Sequence, residues 1–219
     1  MFRIRLMRGL RHPSYFSYEL NTAETVGKVW KHAVLLILLS GLLFGAAAYL
    51  GISSEYLSKK LTQLPRDEFE MHKALFVLGQ LLWGLFYGAV IIYIPSLFFW
   101  TLSDEDMKPL IVVQFLVLLI LLLEKVVLIP FSLTLGVPEI SSPFSLGPIA
   151  QSLTKNLFFM YFFACISLFK LWAMYIQYTY LRVLTGKSSR VVLAMVIGIN
   201  LLFWLMSALM SIIQFEKLI

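Results

Sequence analysis

The sequence predicts an all-α polytopic membrane protein with five transmembrane helices and a cytoplasmic N-terminus. Of its 219 residues, 60% are hydrophobic and only 14% are charged, whereas soluble domains are about half apolar and about a quarter charged. A helix needs roughly 20 mostly apolar residues to cross the hydrocarbon layer of a membrane. Five stretches behind a cytoplasmic or interfacial segment (1–28) meet this requirement, and together they make 29–219 one transmembrane domain. The predicted spans are 29–51, 74–100, 109–130, 157–181 and 191–214.

The N-terminal segment is basic. Its first ten residues mix three arginines with apolar side chains, which is typical either of a helix lying on the membrane surface or of a disordered basic tail. Pro13 is expected to interrupt any helix there. A new helix is predicted from Asn21, because Glu24 follows three residues later as in a capping box, and this helix should continue into the first span.

The first two spans each contain a small-xxx-small pattern. Gly41 and Gly45 form the first pattern, and Gly84 and Gly88 form the second. Such patterns allow another helix to approach closely, so they predict either packing of these two spans on each other or formation of a homodimer. Pro95 should kink the second span near its end.

The loop between the third and fourth spans, residues 131–156, carries three prolines and two glycines. This composition disfavours a regular helix. Because the loop is also apolar, we expect it to lie in the membrane interface or to enter the bundle.

Basic residues indicate the orientation. The net charge is +6, and the N-terminal segment and the fourth loop are rich in cations. The fourth loop carries Arg182, Lys187 and Arg190 and no acidic residue, which favours a cytoplasmic position against an anionic leaflet. No basic stripe is interleaved with exposed aromatics, so a nucleic-acid partner is not expected.

No motif predicts a catalytic, cofactor or metal site. Gly186-Lys187-Ser188 lacks the glycine that a phosphate-binding loop needs five residues earlier, and the three histidines are too far apart for a zinc-protease motif. The acidic run Asp104–Asp106 would suit a hard cation. Capping of the third span explains the same residues, with Pro109 in the first helical turn. The single cysteine, Cys165, excludes an intrachain disulfide.

Three charged residues fall inside predicted spans: Glu124, Lys125 and Lys170. A charge in the membrane costs about 2.5–3.5 kcal/mol on insertion scales, so it normally has a partner or access to water. Three interpretations remain open for these residues. Glu124 and Lys170 could pair, the lysines could extend to the interface, or the charges could serve transport.

Several local pieces carry a family resemblance. They are Leu10-Arg-His-Pro13, Ser145-Leu-Gly147, the segment Ile166–Trp172 with Phe169 before Trp172, and Tyr180-Leu-Arg182 followed by the turn Gly186–Arg190. The chain resembles the Yip (Ypt-interacting protein) domain family, and its short N-terminal tail is similar to the bacterial branch. The resemblance implies five spans, a bacterial cell membrane and no catalytic residues. It also implies association with other membrane proteins, some of them components of ABC-type transporters.

These observations predict a non-enzymatic accessory or scaffold subunit without a cofactor, with the lipid bilayer, other membrane proteins or a second copy as partners. One alternative is a small transporter or channel that uses Lys170 and Glu124. A second alternative is a membrane-embedded enzyme that modifies lipid, which would need several polar residues to converge at one leaflet.

Overall fold

The computed structural model describes residues 4–52 and 65–213. The predicted end of the fifth span at residue 214 lies outside these ranges. Within them the regular structure is helical, apart from one isolated bridge between Ser145 and Ser167. The helices are α1 (Leu6–Arg11), α2 (Pro13–Asn21), α3 (Val29–Tyr49), α4 (Arg66–Leu102), α5 (Met107–Leu135), α6 (Gly147–Leu153), α7 (Leu157–Ala164), α8 (Leu168–Thr185) and α9 (Ser189–Ile213), with a 3-10 turn at Glu139–Ser141.

Four of these helices, α3, α4, α5 and α9, are long and apolar enough to cross a membrane. The prediction of an all-α membrane protein is therefore confirmed. The central helix is α5. In its most apolar stretch 61% of the residues are buried, against 17% in the corresponding stretch of α4. It packs against α3, α4 and α8, while α9 packs against α7 and α8.

The stretch predicted as a continuous fourth span is divided into α7 and α8 by a break at residues 165–167. The neighbouring loop satisfies the backbone at this break: Leu146 N donates to Ile166 O and Leu168 N donates to Phe144 O, both over 3.0 Å. α8 has 18 residues, about 27 Å, and its charged and polar side chains make it less apolar than the four candidate spans. A fifth span remains a prediction.

The expected helix start at Asn21 is wrong. Asn21 is the last residue of α2, and α3 begins only at Val29. The helix is interrupted at Pro13 as predicted, since α1 ends at Arg11 and Pro13 begins the separate helix α2, where the first-turn amides have no acceptor and the missing N–H of proline is harmless. Lys28, immediately before α3, adopts a left-handed conformation with φ of 57°.

The helices α4 and α5 extend beyond their predicted bounds. α4 continues through Pro95 to Leu102, and α5 continues through Pro130 to Leu135, where Gly136 ends it with φ of 61°. Glycine tolerates this left-handed conformation without steric penalty. The region after it contains the 3-10 turn and the short helix α6, so the predicted loop is irregular only in part.

Candidate functional site: helix contacts, a buried amide chain and the N-terminal hairpin

The two small-xxx-small patterns lie against each other within the chain. A Cβ on Gly84 would be 2.8 Å from Ser40 O and 2.9 Å from Gly41 Cα, and a Cβ on Gly41 would be 2.6 Å from Leu85 Cδ2. Only glycine permits this approach of α3 to α4. The closeness also allows Ser40 Oγ to donate to Gly84 O over 2.8 Å.

The outer glycines of the patterns are less tightly enclosed. A Cβ on Gly88 would be 3.1 Å from Ser40 Cβ, and a Cβ on Gly45 would be 3.4 Å from Leu81 Cβ. Both glycines face the neighbouring helix of the same chain. The small-residue faces of α3 and α4 are therefore occupied by each other.

A chain of three amide side chains crosses the core between α5, α8 and α9. Gln177 Nε2 donates to Gln114 Oε1 over 3.0 Å, and Asn200 Nδ2 donates to Gln177 Oε1 over 2.8 Å. Gln114 and Gln177 are buried, with exposed fractions of 0% and 2%. The amides join three helices at one level of the bundle.

The contact at Asn200 in α9 determines which end of each amide donates and which accepts. Asn200 Nδ2 also donates to the backbone oxygen of Val196 over 2.8 Å. A carbonyl oxygen only accepts, so the Asn200 atom near it must be the nitrogen. Gln177 must then present its oxygen to Asn200 and its nitrogen to Gln114. As a result Gln114 Nε2 is a buried donor that has no partner among the residues the structure describes.

The amide chain was not predicted from the sequence, because the candidate polar residues in the spans were the charged ones. Uncharged amides were the available signal: Gln114, Gln177 and Asn200 each interrupt an otherwise apolar run. In membrane helices such side chains often hydrogen-bond across helices. Sequence spacing could not show that these three amides meet.

The N-terminal hairpin, formed by α1 and α2, is fastened to α5 and α8. Tyr180 Oη donates to the backbone oxygen of Gly9 over 3.0 Å in a buried contact. A Cβ on Gly9 would be 3.0 Å from that hydroxyl and 3.1 Å from Leu116 Cδ2. In α2, Phe16 and Leu20 are buried in the same core.

The acidic run Asp104–Asp106 lines a cavity of about 330 Å³ together with Asn21 and Leu184. Burial raises the pKa of Glu105, and the negative charges of Asp106 and Asp104 raise it further. Asp106 occupies the N-cap position of α5 but makes no side-chain capping bond. Within 4–52 and 65–213, no group of three His, Cys, Asp or Glu side chains has an arrangement suited to a metal ion.

Of the three charged residues in the predicted spans, Lys170 lies at a different position in its helix than predicted. Lys170 lies in the first turn of α8, not in the middle of a span, because that helix begins at Leu168. Glu124 is buried, with an exposed fraction of 9%, and Lys125 Nζ lies 4.5 Å from the centre of the Phe44 ring.

Glu124 and Lys170 lie at similar heights. Measured from the Gln114–Gln177 contact, Glu124 lies about 15 Å along α5 and Lys170 lies about 10 Å along α8. Within the described parts of the chain Glu124 has no ion pair, with Lys170 or with any other cation, and no side-chain hydrogen bond. The alternatives of interface access and of transport stay open.

The basic loop connects α8 to α9 through a tight turn. Gly186 has φ of 58°, which directs the chain back after the last turn of α8, where Arg182 is exposed. Arg190 is also exposed and Lys187 is half-buried. The loop therefore presents its cations at the end of the bundle.

Comparisons with models of protein families, with curated proteins and with solved structures find no match for this chain. The resemblance to the Yip domain family consequently remains a prediction.

Proposed function

We propose that this chain is a non-enzymatic accessory or scaffold subunit of a membrane assembly, with components of an ABC-type transporter as candidate partners. The observation that carries the proposal is the use of the interior polar groups in helix contacts. Gln177 bonds both to Gln114 and to Asn200, and Ser40 bonds to Gly84. These hydrogen bonds join helices to one another, which supports a structural use of the interior polar groups.

The outward surface fits the same proposal. Large apolar side chains are exposed along α3 and α4, among them Leu42 at 63% and Phe86 at 59%. Lipid or the helices of other membrane proteins cover such surfaces in a bilayer. The function of a scaffold subunit would be to bind other membrane proteins through these apolar surfaces.

Affinity purification from native membranes tests the proposal. The tagged protein is extracted in mild detergent and its companions are identified by mass spectrometry, with an unrelated multi-span protein carrying the same tag as control. A stoichiometric ATPase or permease subunit absent from the control is the expected result. Recovery of the protein without any specific companion would contradict a scaffold function.

The proposed orientation places the N-terminus and the basic loop in the cytoplasm of a bacterial cell. The cations Arg182, Lys187 and Arg190 support it by the positive-inside rule. Labelling of a Ser188→Cys variant in a Cys165→Ser background tests this orientation. The thiol should react with an impermeant reagent only after the cells are opened, and reaction in intact cells would reverse the topology.

A second candidate function is transport, and the position of Glu124 within the apolar helix α5, without an ion pair or side-chain hydrogen bond in the described residues, favours it. A carboxyl group in this environment is a natural site for a coupled proton or cation. Reconstituted protein would be assayed for proton and cation flux, with Glu124→Gln and Lys170→Ala beside the exposed control Glu24→Gln. Flux lost only in the first two variants would favour a transporter, whereas no flux in any of the proteins would argue against one.

A further inference from the structure

The outer surface of the N-terminal hairpin is cationic. Arg5, Arg8 and Arg11 are all exposed. None of them forms an ion pair within residues 4–52 and 65–213, although the acidic run Asp104–Asp106 lies beside the far end of α2. Three guanidinium groups are thus held together and available to an anionic ligand from outside the described chain.

Large side chains with apolar bodies are also exposed on the hairpin. Met7 is 61% exposed, Tyr15 is 73% exposed and Tyr18 is 63% exposed. A site for a soluble anion needs no such neighbours. The combination of arginine with exposed tyrosine and methionine is typical of a surface that enters the headgroup region of a bilayer.

The other side of the hairpin is attached to the bundle. A Cβ on Gly9 would lie 3.1 Å from Leu116 Cδ2, and Gly9 O accepts a hydrogen bond from Tyr180, while Phe16 and Leu20 have exposed fractions of 3% and 1%. Because the inner side is packed, the orientation of the arginine side is already set before any ligand binds. A preorganised surface of this kind loses little conformational entropy on binding.

The attachment point also determines what surrounds the hairpin. Leu116 lies about 13 Å along α5 from its first residue, Met107. The hairpin therefore packs on the side of the bundle near the end at which α5 begins, since Asn21 at the end of α2 lines a cavity with Asp104–Asp106. Since α5 is one of the candidate membrane spans, the lateral surface of the bundle is where lipid packs.

We propose that the outer surface of the N-terminal hairpin binds anionic phospholipid, with Arg5, Arg8 and Arg11 on lipid phosphates and Tyr15 and Tyr18 among the headgroups. Each cation near an anionic leaflet contributes an attraction of about 1 kcal/mol. Arginine suits the phosphate because its planar guanidinium group donates two parallel hydrogen bonds.

Hydrogen–deuterium exchange of the full-length protein tests this site. The protein is placed in nanodiscs of phosphatidylcholine, with or without phosphatidylglycerol, and exchange is followed in peptides that cover α1. Phosphatidylglycerol should slow exchange in α1 by roughly tenfold or more, given the attraction expected for three cations. Exchange in α5 serves as the internal measure of folding.

Three variants separate charge from packing. The variant Arg5→Gln, Arg8→Gln, Arg11→Gln should lose the effect of phosphatidylglycerol, and the corresponding triple lysine variant should keep most of it. The control Arg182→Gln, Lys187→Gln, Arg190→Gln removes the same number of cations from the basic loop. It should behave like the wild type.

Three outcomes would overturn the proposal. Equal exchange of α1 in the two lipid mixtures would show that the surface has no preference for anionic lipid. Loss of the effect in the basic-loop control would indicate a general effect of net charge. Equal protection by inorganic phosphate in phosphatidylcholine discs would identify a site for a soluble anion.

Discussion

Gln177 in α8 donates from Nε2 to Oε1 of Gln114 in α5 over 3.0 Å, and both side chains are buried. The contact ties the central helix to the helix that follows the break at residues 165–167. Through Asn200 it also reaches α9. Three separate helices are thereby fixed at one height by uncharged groups, which need no counter-ion in the membrane.

The amide chain predicts unequal effects of leucine substitutions at its first two positions. Gln177→Leu breaks both amide–amide bonds and should lower the free energy of unfolding by about 1–3 kcal/mol. Gln114→Leu breaks one bond, but it also removes a buried donor for which the described part of the chain offers no partner, so its effect should be smaller. The measurement is thermal unfolding in detergent, reported by reaction of a thiol dye with the buried Cys165.

The double variant Gln114→Leu, Gln177→Leu should be less destabilised than the sum of the single variants, because the two losses share one bond. Gln80→Leu, at a half-buried glutamine of α4, is the control and should change little. Strict additivity of the two substitutions would argue against the contact.

The glycine contact between α3 and α4 predicts opposite effects of alanine at two positions of α4. Gly84→Ala places a Cβ 2.8 Å from Ser40 O, and overpacking of this kind typically destabilises by about 1–3 kcal/mol. Gly79→Ala meets nothing within 4 Å and should be neutral or stabilising by up to about 1 kcal/mol. Thermal unfolding measured at Cys165 compares the two variants, and equal midpoints would contradict the close approach.

The hairpin attachment predicts a local effect of removing one hydroxyl group. Tyr180→Phe keeps the ring but removes the donor to Gly9 O, at an expected loss of about 0.5–1.5 kcal/mol. Amide exchange in α1 should therefore become faster while exchange in α5 is unchanged. Tyr175→Phe in the same helix, where the side chain is 55% exposed, is the control and should leave α1 as it is.

The acidic run predicts a pH dependence of stability. The pKa of Glu105 in the folded protein is raised above its ordinary value of 4.5, first by burial and then by Asp106 and Asp104. The folded protein favours the neutral carboxyl group of Glu105. Its contribution to stability is therefore fully present below pH 4.5 and is lost as the pH rises through the folded-state pKa and the group becomes charged.

Glu105→Gln should consequently be more stable than the wild type at neutral pH, and this advantage should vanish as the pH falls towards 4.5. Unfolding midpoints over a pH series measure the difference. The exposed control Glu24→Gln should show no comparable trend. A difference between Glu105→Gln and the wild type that is independent of pH would exclude the ionisation of Glu105 as its cause.

Hydrophobic run length predicted the main helices, because a bilayer-spanning helix must satisfy its backbone internally and present apolar side chains along its length. α3, α4, α5 and α9 follow that rule. The division of the fourth stretch was not predictable in the same way. The break is stabilised by Leu146 and Phe144, which lie about twenty residues earlier in the chain and pair with Ile166 and Leu168.

Local capping signals were less reliable than the hydrophobic runs. Asn21 and Glu24 match a capping box by spacing, yet Asn21 ends α2. The buried contacts of Phe16 and Leu20 favour a helix before Asn21. Packing of an apolar face contributes more free energy than one cap, since burying such a side chain is worth about 1.5–3 kcal/mol.

The sequence by itself determined that the chain is helical and apolar enough to lie in a membrane, since these properties follow from composition and periodicity along the chain. It also contained the glycines that permit close approach of α3 and α4. Only the tertiary structure decided that Gly84 lies on Gly41, that Gln114 and Gln177 meet, and that Gly9 lies against Tyr180. These contacts join residues far apart in the chain, and their free energy depends on distances that exist only once the helices have packed.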